Sequence, residues 1–228
     1  MRFSVVVPVY NEESLLASIL PEILRDVATF DGGAEVIFVD NGSDDRTAEL
    51  LGIAAGDGSG NIRACRLGRP DYGAALQKGF MEAQGSLRAT MDLDAWNPRF
   101  IRQASSRLGD GTHVVVGCKD PAQDRRPFPR RWTTGLHRFI LGRLLPQLRG
   151  LDVHGPLLLD WDRCAGIVAE CHSGADAFKT ELLLHLVRSG MTIASEPISI
   201  AELRPARTSL PVRIVRYLPM LWRLARNS

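Results

Sequence analysis

The sequence predicts an α/β fold: a doubly wound, mostly parallel sheet with helices on both faces. Two observations predict it. Phe3–Val9 is a nearly continuous apolar run, the mark of a strand buried on both faces rather than one. Up to residue 117, strand-length apolar runs then alternate with helix-length amphipathic ones across short loops, the pattern of βα units rather than of hairpins.

The elements follow in order. After the first strand, Asn11 is placed to cap a helix whose first turn holds Glu12 and Glu13, where carboxylates are favoured by the helix dipole. Strands are expected at Glu35–Val39, Ile62–Leu67, Leu87–Met91 and His113–Gly117, and helices at Asp44–Ala55, Tyr72–Ala83 and Phe100–Leu108. The second half is less regular. Gln123–Arg131 reads as a Pro- and Arg-rich loop, and Thr134–Leu148 as a helix with Leu136, Phe139, Ile140, Leu144 and Leu145 at helical spacing. Helices are expected at Trp161–Glu170 and Phe178–Ser189, and a short strand at Thr192–Ser195 closed by Pro197. The tail from Val212 to Arg226 sets Ile214, Val215, Leu218, Leu221 and Trp222 against Arg213, Arg216 and Arg223, with a kink at Pro219.

With 228 residues, 45% of them hydrophobic and 24% charged, the chain is one large globular domain or one domain plus a tail, not a disordered or fibrous protein. No uncharged apolar run approaches the ~20 residues of a membrane-spanning helix, and the start of the chain carries no secretory pattern; the expectation is a cytoplasmic protein. Cys65, Cys118, Cys164 and Cys171 lack CxxC spacing and are expected as reduced thiols. Net charge is +2, but residues 119–149 carry +6 and residues 199–228 carry +5, leaving −9 for the rest. Two basic stretches on an acidic body point to anionic partners; on charge alone these are nucleic acid, a phosphorylated ligand or anionic lipid.

Three clusters sit where ligands bind in such sheets, at the carboxyl ends of strands. Val5–Val9 followed by Tyr10-Asn11-Glu12-Glu13 is a buried strand emptying into a helix N-terminus, where free N–H groups favour an anion and Tyr10 can cover a flat base. In Asp40-Asn41-Gly42-Ser43-Asp44, Gly42 serves a sharp turn and Ser43 or Asp44 starts a helix; Asp40 has no such turn role and can accept from a base N–H. In Met91-Asp92-Leu93-Asp94, two carboxylates two residues apart in an extended segment share a face and repel unless a cation neutralises them. Such hard oxygen ligands suit Mg²⁺ or Mn²⁺ held in turn by a diphosphate.

Together these clusters resemble the family-2 glycosyltransferases of the GT-A fold, and within them the polyprenyl-phosphate branch typified by dolichol-phosphate-mannose synthase. The resemblance runs from Arg2 to about Leu210 and includes Tyr72-Gly73-Ala74-Ala75 with Gly79, Val116-Gly117-Cys118-Lys119, Glu181-Leu182-Leu183, and Arg204 with Ser209. It implies one glycosyltransferase domain over residues 1–210, with a nucleotide-sugar half (1–117) and an acceptor half (118–210), followed by a basic amphipathic helix (211–228). It further implies that Pro8, Tyr10, Glu12, Asp40 and Asp92 hold a UDP- or GDP-linked sugar, and that Asp94 with Asp92 binds Mg²⁺ or Mn²⁺. The implied acceptor is a polyprenyl phosphate, its phosphate oriented by Lys119, Arg204, Arg207 and Ser209. The implied reaction inverts the anomeric centre, and the implied location is peripheral on the cytoplasmic face of the membrane.

Two other readings remain. A soluble hydroxyl acceptor would need a base, with Glu181, Asp152 or Asp176 as candidates. A GT-A module that has lost catalysis would bind nucleotide only. Three departures from the family pattern bear on them: Trp96 stands where glutamine is common, Arg207 replaces a glycine, and Asp152-Val153-His154-Gly155-Pro156 is one residue short of Asp-x-x-x-Gly-Phe-Arg/Lys and lacks its cation. No nucleic-acid-binding motif accompanies the arginines, so a nucleic-acid partner is not expected.

Overall fold

The computed structural model describes residues 1–56, 60–109, 111–119, 135, 139–174, 177–199, 221–224 and 226. Within them the strands are β1 (Phe3–Val9), β2 (Ala34–Asp40), β3 (Ile62–Arg66), β4 (Leu87–Thr90), β5 (Thr112–Lys119), β6 (Leu157–Asp160) and β7 (Thr192–Ile198). The helices are α1 (Glu13–Val27), α2 (Thr47–Ala55), α3 (Tyr72–Glu82), α4 (Pro98–Ser105), α5 (Trp161–Ala169) and α6 (Phe178–Arg188). The strands form one sheet in the order β3-β2-β1-β4-β6-β5-β7.

The expected doubly wound architecture is present. Successive side chains of β1 enter opposite layers: Val6 belongs to the core layer that holds Leu76 and Phe80 of α3 and Leu182 and Leu186 of α6, while Val5 and Val7 belong to the layer that holds Leu16 and Ile23 of α1, Leu51 of α2 and Phe100 of α4. Both faces of the strand are therefore covered, which is why its sequence is apolar without alternation. Asp71 and Asn97 cap α3 and α4, accepting from the N–H of Ala74 (3.0 Å) and Phe100 (3.2 Å).

Three local expectations are corrected. β6, a four-residue strand following Pro156, was not anticipated from Leu157-Leu158-Leu159; it inserts antiparallel between β4 and β5, and so short an apolar run carries no periodicity. β7 does not stop before Pro197 but continues to Ile198. It ends the strand order, where a residue without an N–H is tolerated. Asn11 does not cap α1: it sits at φ 53 with the helix beginning at Glu13, and Glu12 at the cap position makes no side-chain capping bond.

Of the predicted helix at 134–148, residues 139–144 are helical and Pro146–Leu148 form a 3₁₀ turn. The 123–131 loop and Pro219 lie outside the described residues. Of the tail, residues 221–224 are helical; Leu221 and Leu224 are buried in the layer that contains Leu141 and Leu145. Trp222 remains 56% exposed, with the Arg226 guanidinium 4.5 Å over its ring.

Candidate active site

All strands but β6 run in one direction. Their C-terminal ends, including Val9, Asp40, Arg66, Thr90 and Lys119, therefore share one sheet edge, joined there by the segment 152–156 that leads into β6. The three clusters picked out in the sequence meet along this edge.

Asp40, 2% exposed, ends β2. Its Oδ1 accepts from the N–H of Ser43 at 2.9 Å, closing a turn in which Gly42 adopts φ 79, a conformation glycine takes at no steric cost. Oδ2 lies 3.0 Å from Arg66 Nε but off the line of a hydrogen bond, leaving a buried carboxylate oxygen with acceptor capacity to spare. Arg66 is itself steered by the carbonyl of Ser43, to which Nη2 donates at 2.8 Å. The ion pair with Arg66 compensates the charge of this oxygen, and its remaining lone-pair capacity at a strand end can take a further donor.

The neighbouring loop departs from expectation. The N–H of Asn11 donates to Ser43 Oγ (3.0 Å), that of Glu12 to Thr47 Oγ1 (2.8 Å) and that of Glu13 to Asp45 Oδ2 (3.2 Å). The side chains of Asn11 and Asp44 lock the two loops from outside, Nδ2 donating to Oδ1 at 2.6 Å. Three successive N–H groups at the entry to α1 are thus taken by the β2–α2 loop, which disfavours an anion there. What the arrangement does instead is fix Asp40 relative to Tyr10, which is exposed, and to Pro8 and Glu12, which are half-buried and buried.

The acidic pair is not extended as the spacing suggested. Asp92 has extended backbone, but Leu93–Ala95 form a 3₁₀ turn in which buried Leu93 anchors in the layer with Phe100. Asp92 and Asp94 are both half-buried. Asp92 Oδ1 accepts from the hydroxyl of Tyr72 at 2.8 Å, so the carboxylate is oriented by α3. Trp96 does not crowd the pair: its indole donates to Asp26 Oδ2 of α1 at 2.8 Å. Among the described residues no cluster of three or more His, Cys, Asp or Glu could hold a metal ion. The pair fits a hard cation bound through one or two carboxylates and completed by substrate phosphates, the usual mode for Mg²⁺.

In the segment that leads into β6, Asp152 is buried and its Oδ1 accepts from the N–H of His154 at 3.2 Å. Gly155 presses on β5 so closely that a Cβ there would lie 1.8 Å from the Gly117 carbonyl oxygen, and the N–H of Gly117 donates to the Pro156 carbonyl at 2.8 Å. Lys119, half-buried, ends the same strand. Across from this segment α6 contributes Lys179, 6% exposed, whose Nζ donates to the Gly155 carbonyl at 3.2 Å and lies 5.7 Å from the centre of the Tyr72 ring. Burial pushes the Lys179 ammonium below its ordinary range, and the carboxylates of Asp92 and Asp152 oppose that shift. Neither Tyr72 nor Lys179 was assigned a role from sequence. A lysine among apolar residues at a helix start reads as a solvated surface group, and nothing in the residue order places it beside Asp92.

Glu181 is buried, but two residues along a helix turn a side chain through about 200°, away from the direction of Lys179. Its Oε2 accepts from the N–H groups of His172 (2.9 Å) and Ser173 (2.7 Å), and so secures the loop that packs against Gly73. This engagement disfavours the base role expected of it. Arg204, Arg207, Ser209 and Asp176 lie outside the described residues. Cys164 and Cys171 are buried, and burial raises both thiols to about 12, which fits inert packing residues.

Comparison with known proteins agrees with this geometry. The family model described as Glycosyl transferase family 2 matches residues 4–160. An undecaprenyl-phosphate 4-deoxy-4-formamido-L-arabinose transferase from Pseudomonas aeruginosa is 40% identical over 147 residues, covering 61% of this chain and 41% of the relative. The protein of the same name from Pectobacterium atrosepticum is 43% identical over 128 residues, covering 53% and 38%. The chain thus spans about two fifths of the length of the curated relatives it matches. Among solved structures, glucosyl-3-phosphoglycerate synthase from Mycobacterium tuberculosis in complex with UDP aligns over 98% of this chain and 79% of its own, with a TM-score of 0.73 and 19% identity. Another structure of that enzyme, with Mn²⁺, UDP-glucose and phosphoglyceric acid, aligns with a TM-score of 0.71 and 19% identity over the same shares of the two chains. At this identity the likeness establishes the GT-A fold.

Proposed function

The chain belongs to glycosyl transferase family 2, and on that premise we propose that it moves a sugar from a nucleotide-sugar to a polyprenyl phosphate, with inversion, at the cytoplasmic face of the membrane. The observation that carries the reading is the single sheet edge on which Asp40 presents a buried carboxylate, its Oδ2 ion-paired to Arg66, while Tyr72 orients Asp92 beside Asp94.

In this reading Asp40 accepts a base N–H, Tyr10 covers the base, and Pro8 and Glu12 shape the wall behind it. Asp94 with Asp92 would hold Mg²⁺ or Mn²⁺, which as a Lewis acid stabilises the departing nucleoside diphosphate. The residues from 118 to 210 form the acceptor half, with Lys119, Arg204, Arg207 and Ser209 as phosphate ligands. A lipid phosphate is already an anion, so its attack on the anomeric carbon needs no side-chain base. It needs cations to orient it. That requirement agrees with the engagement of Glu181 elsewhere and with relatives that bear the name of undecaprenyl-phosphate transferases. The tail from 211, with Trp222 exposed beside arginines, suits contact with an anionic membrane surface.

A hydroxyl acceptor is the second reading, supported by the phosphoglycerate-using enzyme on the same fold; Asp152 is then the described candidate for the base. The inactive-module reading keeps the missing glutamine as its support, but Trp96 is hydrogen-bonded toward α1, which argues against the indole as a block on the acidic pair. The discriminating experiment measures nucleoside-diphosphate release by the 228-residue chain with Mn²⁺, over UDP- and GDP-sugars, with and without a polyprenyl phosphate. Release that requires the lipid is the expected result. Release without it favours a hydroxyl acceptor, and nucleotide binding without any release favours the inactive module.

The donor subsite carries its own prediction. Asp40→Asn keeps the turn but removes the charge, and is expected to weaken UDP binding about ten- to a hundredfold, the worth of one charge-assisted hydrogen bond. Calorimetric titration of both proteins checks this. Equal affinities would remove Asp40 from the nucleotide site.

A further inference from the structure

Lys179 has no assignment in the family resemblance, yet it is the buried cation at the reaction edge. Its ammonium bonds to the carbonyl of Gly155, within the segment 152–156 that lacks the basic residue expected at its end. It also feels both Asp92, on the donor side, and Asp152, on the acceptor side. Tyr72 links the same group from the third direction, its hydroxyl on Asp92 and its ring beside the ammonium. Burying a charge this deeply is costly unless it is paired or used, and a methionine or leucine would fill the same place at the start of α6 without that cost.

We infer that Lys179 provides the positive charge that receives the acceptor's phosphate, standing in from α6 for the cation missing from the segment 152–156. The inference rests on the phosphate-acceptor reading above. The phosphate would lie over the segment 152–156, between Lys179 beneath it and Lys119 at the end of β5. Gly155 belongs to this arrangement because only a residue without a side chain lets the segment close on Gly117 while leaving its carbonyl to Lys179.

The test is a binding measurement on the 228-residue chain with UDP and Mn²⁺ present, comparing farnesyl phosphate with farnesol in the wild type, Lys179→Gln and Lys179→Arg. Glutamine can still donate to the Gly155 carbonyl but carries no charge, so a purely structural role would survive it. The wild type is expected to prefer the phosphate over the alcohol by at least about tenfold. Lys179→Gln should lose most of that preference with unchanged UDP affinity, and Lys179→Arg should keep it. A Lys179→Gln protein that retains the full preference overturns the inference while leaving the acceptor reading intact. A wild type that does not distinguish phosphate from alcohol overturns the acceptor reading, and the role of Lys179 falls with it. If Lys179→Gln does not fold, the NMR signal of the Lys179 ammonium in the wild type decides: farnesyl phosphate should shift it and farnesol should not, and equal responses overturn the inference.

Discussion

Replacing Asp94 by alanine is expected to lower sugar transfer by at least about a hundredfold, the loss typical when one group that stabilises developing charge is removed from a closed site. Asp94 sits in the 3₁₀ turn after β4, half-buried, with Asp92 held by Tyr72 next to it. Leu93 between them is buried, so the turn is anchored from below by a side chain that the substitution leaves in place. The effect should therefore appear in turnover and not in folding. Nucleoside-diphosphate release measured against Mn²⁺ concentration checks this: the variant should show no saturable activation by the metal. UDP binding without metal should be preserved, because Asp40 lies on another strand. Full transfer by Asp94→Ala would remove the metal role from this pair.

The second large effect is on stability. Glu35 has 1% of its side chain exposed and lies at the start of β2, at the opposite edge of the sheet from the site. Its Oε1 accepts from Ser4 Oγ at 2.6 Å and from the N–H of Gln84 at 2.7 Å, and its Oε2 meets Arg63 Nη1 at 3.3 Å. Ser4 Oγ in turn accepts from the N–H of Gly85 at 2.7 Å, so one carboxylate ties β1, β2, β3 and the α3–β4 connection together. Arg88, stacked on Trp161 at 3.7 Å, adds a second nearby cation; burial pulls its guanidinium down to about 10, with Glu35 and Asp162 opposing. Glu35→Ala leaves the Ser4 hydroxyl and the Gln84 N–H without their buried acceptor and removes one of the partners of Arg63, which keeps the Glu82 carbonyl; at about 1–3 kcal/mol for each buried group left unsatisfied it should cost about 3–5 kcal/mol. For a chain of this size that lowers the melting temperature by about 6–20 °C. Thermal unfolding followed by circular dichroism measures it. Below the transition, UDP affinity should match the wild type, since the network is remote from Asp40; a change of less than about 1 kcal/mol would show that Arg63 and the Gln84 N–H find water instead.

Much of this was legible in the residue order because the first half obeys simple periodicities. β1 through β5 and the helices between them appear within a few residues of where apolar runs and caps put them. The positions of Asp40 and of the Asp92–Asp94 pair follow from the rule that strand ends carry ligands. What was illegible depended on contacts distant in sequence. The helix N-terminus at Glu13 reads as an anion site until Ser43, Asp45 and Thr47, some thirty positions away, are seen to occupy its N–H groups. Trp96 reads only as a departure from the family's glutamine until Asp26 is seen to accept from its indole. β6 is too short to signal itself, and without it the segment 152–156 cannot be placed at the sheet edge. Lys179 could not be placed either, because its meaning comes from Gly155 and Asp92, which only the antiparallel insertion of β6 brings together.

The measurement that bears most directly on the proposed reaction follows labelled sugar from a nucleotide-sugar into the lipid phase, with undecaprenyl phosphate and undecaprenol offered side by side in the presence of Mn²⁺. Label should enter the lipid only with the phosphate, should depend on the metal, and should be lost in Asp94→Ala. Label appearing equally on undecaprenol, or only on a water-soluble acceptor, would contradict a reaction in which an anionic phosphate attacks without a side-chain base.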